Sequence, residues 1–253
     1  MDSSKKIALI TGGSRGLGKN SALHLAKNGA DVIVTYLSKK EDADATVAEI
    51  EALGHKAAAL QLNTGDTKQF DAFTASLEEL LQSKWGRDNF DFLVNNAGTG
   101  YHATVAQTTE EEFDQLYNIH FKGVFFLTQK LLPVIANGGR IINFSTGLAR
   151  FTTTYHAAYA SMKGAVETFT KYLAKEVGPR GINVNIVAPG IIKTDFTKAS
   201  FDTPGLEDAM AAQTALGRVG VPDDIGGVVA FLCSEDARWI NAQRIEASGG
   251  MFL

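Results

Sequence analysis

The chain has 253 residues, 45% of them hydrophobic, and a formal net charge of −4. That length suits one α/β domain whose core needs no disulfide or metal, and the acidic balance excludes nucleic acid as the main partner, because phosphate binding asks for a basic excess. The one cysteine, Cys233, cannot close an internal disulfide and lies in an apolar run over 228–233, which predicts a buried, inert thiol in a reducing compartment.

Only four apolar residues, 7–10, separate Lys6 from Thr11. That is too short for a secretory core or for a membrane helix of ~20 residues, so a cytoplasmic protein with no membrane partner is expected. The same run predicts the first strand, and a helix follows over 17–27. Further along, the pattern predicts a strand at 32–36, a helix at 43–53, a strand at 57–62, a helix at 69–82 and a strand at 90–94. One long helix over 110–135 leads to a strand at 140–144, a helix at 159–177, a strand at 183–187, a helix at 223–233 and a last strand at 244–246. Near-continuous apolar strands alternating with helices predict an α/β fold: a doubly wound parallel sheet covered on both faces, in a single domain over 1–253. Such sheets bind ligands outside the carboxyl ends of the strands, where the strand order reverses. The long irregular stretch 193–220 contains Thr203-Pro204-Gly205 and reads as a substrate lid. Its Phe196, Phe201, Leu206, Met210 and Leu216 predict a partly apolar pocket.

The first predicted strand runs into Thr11-Gly12-Gly13-Ser14-Arg15-Gly16-Leu17-Gly18 and then a helix. Glycines permit a tight turn and let backbone N–H groups approach a pyrophosphate, to which a helix N-terminus adds partial positive charge. Gly12, Ser14, Arg15, Gly16, Leu17 and Gly18 are therefore candidate cofactor residues. The same residues spell Gly12-x-Ser14-x-Gly16, the nucleophile elbow of α/β-hydrolases. Only one strand precedes it, no His-Gly-Gly-Gly oxyanion motif is present and no histidine follows His156, so the hydrolase reading is the weaker one. NAD-preferring folds place an acid ~20 residues past the glycines, on the ribose 2′-hydroxyl. Here Tyr36 stands eighteen residues after Gly18. Without an acid there is room for a 2′-phosphate, to which Arg15 offers a guanidinium, with Ser38 and Lys39 assisting. NADP(H) is expected over NAD(H).

Tyr159 and Lys163 lie four residues apart on a predicted helix and share one face. A phenol with a reference pKa of ~10 is a poor acid or base at neutral pH. A nearby ammonium and an oxidised nicotinamide would both favour phenolate, bringing the phenol toward the range where general acid-base catalysis works best. Taken alone, such a pair is as common on an ordinary surface helix.

Two further motifs give the pair its context: Asn95-Asn96-Ala97-Gly98 and Pro189-Gly190-Ile191-Ile192-Lys193-Thr194. Together with the glycine loop and Tyr159-x-x-x-Lys163, in this order over nearly the whole chain, they resemble the short-chain dehydrogenase/reductase family in the form typified by 3-oxoacyl-carrier-protein reductases. The resemblance implies a seven-stranded Rossmann sheet of order 3-2-1-4-5-6-7. It implies hydride transfer between nicotinamide C4 and a carbonyl carbon, with a small carbonyl or alcohol as substrate. Tyr159 would exchange the proton with the substrate oxygen, and Lys163 would lower the tyrosine pKa and bond the nicotinamide ribose. Asn96, Ala97 and Gly98 would shape the cofactor site. Pro189, Gly190, the Ile192 backbone and Thr194 would line the nicotinamide, while Asn63, with Thr64 beside it, falls where a side chain meets the adenine. Family members are commonly tetramers, which would place the helices over 110–135 and 159–177 and the last strand at interfaces. The apolar end of the tail, 249–253, fits docking on a neighbour.

Two positions depart from the family pattern. The substrate-orienting serine falls at Thr146, whose hydroxyl keeps donor and acceptor roles but whose methyl narrows the pocket. Ser145 replaces it only if the register slips by one. Where the family shows asparagine stands His120, with either a packing role or a group titrating near neutral pH. These departures leave open an alternative of another class, a catalytically weak NADP(H)-binding regulator or scaffold. Retention of both Tyr159 and Lys163 speaks for the enzyme.

Overall fold

Strand β1, Ile7–Ile10, has all four side chains buried, as an apolar run must when helices cover both faces of its sheet. The computed structural model, which describes residues 5–253, continues with α1 at Gly16–Lys27, β2 at Asp31–Tyr36, α2 at Lys40–Ala52, β3 at Ala57–Gln61, α3 at Phe70–Trp85 and β4 at Phe90–Asn95. Next come α4 at Glu110–Tyr117, α5 at Gly123–Leu131, β5 at Ile135–Phe144, α6 at Ala157–Val177 and β6 at Asn183–Pro189. Helices α7 at Lys198–Phe201, α8 at Leu206–Ala212 and α9 at Asp223–Leu232 precede β7 at Arg244–Ala247. All seven strands pair in parallel in the order β3-β2-β1-β4-β5-β6-β7, the doubly wound Rossmann sheet expected from the sequence.

Alternation along β1 divides the core. Ala8 and Ile10 pack with Leu25, Ile50 and Val229 from α1, α2 and α9 on one face. Ile7 and Leu9 pack with Leu77, Leu127 and Leu173 from α3, α5 and α6 on the other. Each fully buried side chain of this size contributes roughly 1.5–3 kcal/mol. A helix cap is worth about 1 kcal/mol, so packing holds α1 in place although its N-cap, Arg15, makes no side-chain cap bond. The order reverses at β1, which lies between β2 and β4, so the carboxyl ends of β1 and β4 open the crevice predicted to hold the ligand.

Two expectations need correction. The single helix over 110–135 is three pieces: α4, a π-helical turn at Asn118–Lys122, and α5, followed by a 3-10 turn at Leu132–Val134. Pro133 in that turn has no N–H for a helical ladder, and Ile135 already begins β5. Gly123, just after the π turn, lies so close to Thr64 that a Cβ would stand 1.9 Å from the Thr64 carbonyl oxygen. The 193–220 stretch is not wholly irregular either: it contains α7 and α8, and Lys193 at its start reaches Glu207 Oε2 of α8 at 2.7 Å. Cys233 is buried as expected, and burial pushes its thiol up to about 12. No helix among the described residues is long and apolar enough to cross a membrane.

Candidate active site

The glycine loop is built for close backbone approach. Gly12 and Gly16 both adopt positive φ, at 65° and 56°, a conformation that costs glycine little. At Gly18 a Cβ would stand 2.2 Å from the Gly12 carbonyl oxygen and 2.4 Å from Asn96 Nδ2, so only glycine lets α1 start here. The first turn of α1 has no capping side chain and no acidic residue. Its N–H groups and dipole therefore suit an anion, and the loop fits a dinucleotide pyrophosphate. Leu17 packs against the core behind it, and the Ser14 carbonyl accepts from Thr46 Oγ1 at 3.2 Å.

Strand β4 braces this loop from the side. Asn96 Nδ2 donates to the carbonyls of Thr11 and Gly12 at 2.9 and 3.1 Å, and Thr11 Oγ1 accepts from the N–H groups of Asn96 and Ala97 at 3.0 Å each. The Asn96 amide thus supports the cradle from within. Beyond it, Gly98 leaves space for a ring: a Cβ would come within 2.8 Å of His120 Cε1.

Tyr159 stands in the first turn of α6 and Lys163 one turn later. Lys163 is buried, its Nζ 5.8 Å from the Tyr159 ring centroid and donating to the Phe144 carbonyl at 2.9 Å. Burial pushes this ammonium down to about 8. Burial also raises the Tyr159 phenol above its ordinary value, the opposite of the shift expected from the lysine. In the protein alone this phenol is therefore neutral at physiological pH.

His120 lies in the π turn, buried, with its ring edge-on to Tyr159 at a centroid distance of 5.0 Å. Its Nε2 donates to the Thr99 carbonyl at 2.7 Å, and Nδ1 has no hydrogen-bond partner. Burial, reinforced by the Lys163 charge, pushes the imidazole down to about 3. Of the two readings open for His120, this environment favours the packing role, with the ring neutral at physiological pH.

Thr146 and Ser145 have different hydrogen-bond partners. Ser145 is buried and donates from Oγ to Glu167 Oε1 at 2.6 Å, so its hydroxyl is engaged behind the site. Thr146 Oγ1 accepts from the Leu148 N–H at 3.3 Å, which leaves its own O–H as a donor.

The segment after β6 forms the opposite wall. Pro189 ends the strand, and Gly190 presses on Ser248, where a Cβ would be 2.9 Å from the Ser248 Cα. Ile192 is buried, and its carbonyl accepts from Thr197 Oγ1 at 2.6 Å, while Thr197 Oγ1 in turn accepts from the Thr194 N–H at 3.0 Å. Thr194 comes within 3.9 Å of where a Gly16 Cβ would lie, and Phe196 lies 6.5 Å from Tyr159 between ring centroids. The glycine loop, the β4 loop, α6 and the β6 segment thus converge on Tyr159.

The residues expected at the adenosine end lie further along the crevice. Tyr36 ends β2 half-buried, with exposed Ser38 and Lys39 beyond it. Asn63 Oδ1 accepts from the Gly65 N–H at 3.0 Å, and the Thr64 carbonyl faces Gly123. The exposed guanidinium of Arg15 is 3.8 Å from Asp195, near the start of the 193–220 segment.

Two features escaped the sequence reading. Tyr155 takes φ of 71°, unusual for a bulky residue, and its carbonyl accepts from the Ala103 N–H at 3.1 Å, joining the β4 loop to the turn before α6. Nothing in the sequence marks this conformation. Arg244 and Glu246, two apart on β7, point to the same side and join Glu167 and Arg150. Their period-two spacing was a legible signal. In the tail, Met251 is buried in its own chain, Phe252 meets Phe151 at a tilt with ring centroids 4.7 Å apart, and Leu253 is exposed.

A family profile described as Enoyl-(Acyl carrier protein) reductase matches residues 12–252. A curated 3-oxoacyl-(acyl-carrier-protein) reductase of Staphylococcus aureus is 40% identical over 250 residues, 98% of each chain. Among solved structures, the promiscuous reductase LugOII, which catalyses keto-reduction at C1 during lugdunomycin biosynthesis, aligns with a TM-score of 0.93 at 40% identity, covering 98% of each chain. The angucycline C-6 ketoreductase LanV with bound NADP aligns with a TM-score of 0.92 at 38% identity, over 98% of this chain and 95% of LanV.

Proposed function

The chain belongs to the short-chain dehydrogenase/reductase family, and from that premise we propose that it reduces a ketone with NADPH, Tyr159 delivering the proton. It is an NADP-dependent oxidoreductase of the carbonyl/alcohol pair. The observation that carries the finer reading is the placement of Tyr159, with the buried Lys163 Nζ 5.8 Å from its ring and the rings of His120 and Phe196 at 5.0 and 6.5 Å. NADPH, when bound, supplies the hydride.

The chain's own residues do the rest. The α1 N-terminus and the glycine loop hold the pyrophosphate. Arg15, Ser38 and Lys39 recognise the 2′-phosphate and set the preference over NADH, with no acid at Tyr36 to repel it. Asn63 and Thr64 line the adenine end. Asn96, Ala97, Gly98, Pro189, Gly190, Ile192 and Thr194 wall the nicotinamide end. Thr146 donates its O–H to the substrate carbonyl and orients it toward Tyr159. Tyr159 gives its proton to the oxygen as the carbonyl is reduced, and Lys163 holds positive charge beside the resulting phenolate. His120, neutral, fixes the Tyr159 ring against the β4 loop.

The substrate is a largely apolar, planar ketone. Support comes from Phe196 beside Tyr159, and from the similarity to LanV, whose structure has also been solved with NADP and rabelomycin. The 193–220 segment closes over it as a lid of a single catalytic domain. The protein works in the cytoplasm as a homotetramer. Its aromatic face, with exposed Phe113, Tyr117, Phe125, Phe126 and Tyr172 on α4, α5 and α6, supplies one interface. A regulator or scaffold would have no use for the intact Tyr159–Lys163 pair.

The test is NADPH oxidation against a panel of polycyclic aromatic ketones, diketones and 3-oxoacyl esters. Tyr159→Phe is expected to lower turnover by ~10²–10⁴-fold while NADPH still binds. Undiminished turnover in that variant overturns the mechanism.

A further inference from the structure

Thr146 is tied to the far edge of the sheet. Arg244 of β7 donates from Nη2 to the Thr146 carbonyl at 3.0 Å, across 98 positions of sequence. The same guanidinium donates from Nε to Glu167 Oε1 and from Nη1 to Glu246 Oε2, each at 2.7 Å. Glu167 sits on α6 about two turns past Tyr159 and also holds Ser145. Glu246 is gripped by Arg150, whose Nε and Nη2 reach its two carboxylate oxygens at 2.7 Å. Arg150 Nη2 goes on to the Met251 carbonyl at 2.7 Å.

The network is sheltered: the side chains of Arg244, Glu167 and Glu246 are only 18–20% exposed. Most ion pairs of this chain are far more solvated, Arg15–Asp195 among them at 58% and 69%. Bonds in sheltered surroundings are screened less by water and salt. A guanidinium carries its donors in one rigid plane. With two of them fixed on carboxylates, the third points at one place, the Thr146 main chain. The Thr146 hydroxyl depends on that main chain for its aim, since Thr146 is extended and caps a 3-10 turn that starts at once, at Gly147–Ala149.

We propose that Arg244 is a positioning residue: by holding the Thr146 carbonyl it keeps the substrate-orienting hydroxyl in register with Tyr159, and Glu246 and Arg150 carry that tie to the carboxy-terminal tail. The inference rests on the reading of Thr146 as the group that orients a ketone. It makes β7, which carries none of the residues assigned to cofactor or substrate, part of the active-site frame. A displacement near 1 Å is enough to cost ~10²-fold in rate.

The experiment uses the full chain with Arg244→Gln and Arg244→Lys. Hydrogen–deuterium exchange over residues 145–150 reads the tie directly, and steady-state kinetics with NADPH and an aromatic ketone read its consequence. Arg244→Gln is expected to speed exchange over 145–150 selectively, with β1 and β4 unchanged. It should lower kcat by roughly 10- to 100-fold at constant KM for NADPH. Arg244→Lys should recover part of both effects. Exchange that rises no more in this segment than elsewhere overturns the inference, because the arginine is then merely structural. So does wild-type kcat in a variant whose 145–150 segment has loosened. A wild-type chain that reduces no ketone sinks the functional reading itself, whereas wild-type turnover matched by Arg244→Gln sinks this inference alone.

Discussion

The imidazole of His120 meets the Tyr159 phenol edge-on, with ring centroids 5.0 Å apart and planes at 90°. Aromatic pairs favour this arrangement, because the positive edge of one ring faces the negative face of the other. The histidine is anchored on its other side by Nε2–H on the Thr99 carbonyl. A neutral ring thus joins the β4 loop to the tyrosine, and its neutrality has a thermodynamic consequence.

The imidazole is held at about 3 in the folded chain, against an unfolded value of ~6.5. Between these values the unfolded chain binds the extra proton, so stability present above pH ~6.5 is lost as pH falls toward 3. The full effect is on the order of 5 kcal/mol. Urea unfolding of wild type and His120→Asn at pH 7 and pH 4.5 isolates it from the carboxylates. Wild type should lose roughly 2–3 kcal/mol more than the variant over that interval. Equal losses would mean that the imidazole is not buried neutral.

Arg15 is expected to choose the cofactor. Its pair with Asp195 is exposed at 3.8 Å and so contributes little to stability, whereas charge-assisted bonds to a phosphate are worth about 1.5–3 kcal/mol. Arg15→Ala should reduce the NADPH-over-NADH ratio of kcat/KM by ~10- to 100-fold with Tm nearly constant. A ratio that does not move assigns the 2′-phosphate to other residues.

Thr146 should act through its hydroxyl. Thr146→Ser keeps that group and is expected to stay within several-fold of wild type. Thr146→Val keeps the shape and removes the donor, and should lower kcat by ~10²–10³-fold. If valine is tolerated as well as serine, the hydroxyl does not touch the substrate.

Gly18 tests the cradle. An alanine Cβ would stand 2.2 Å from the Gly12 carbonyl oxygen and 2.4 Å from Asn96 Nδ2. Backbone cannot yield as a flexible side chain does. Gly18→Ala should cost roughly 1–3 kcal/mol of stability, lowering Tm by about 3–10 °C, and should weaken NADPH binding measured by fluorescence. Wild-type affinity would show that the pyrophosphate does not rest on this loop.

Much of this protein could be read from its sequence because the information is local. The run 7–10, the glycines after it and the fourfold spacing of Tyr159 and Lys163 specify a strand, a tight turn and one helix face wherever they occur. Seven such strands alternating with helices leave little choice but a parallel doubly wound sheet. Burial and charge environment are not local, and there the tertiary structure decided. It engaged the Ser145 hydroxyl with Glu167 of α6 and set the Thr146 oxygen on the Leu148 N–H. It made His120 neutral and kept Tyr159 protonated, because desolvation depends on every element packed around a group. It broke the helix over 110–135 where Gly123 meets Thr64, and it brought Arg244 onto Thr146 from 98 positions away. The sequence determined which groups are present and the sheet that carries them; packing determined which of them are buried and which are engaged.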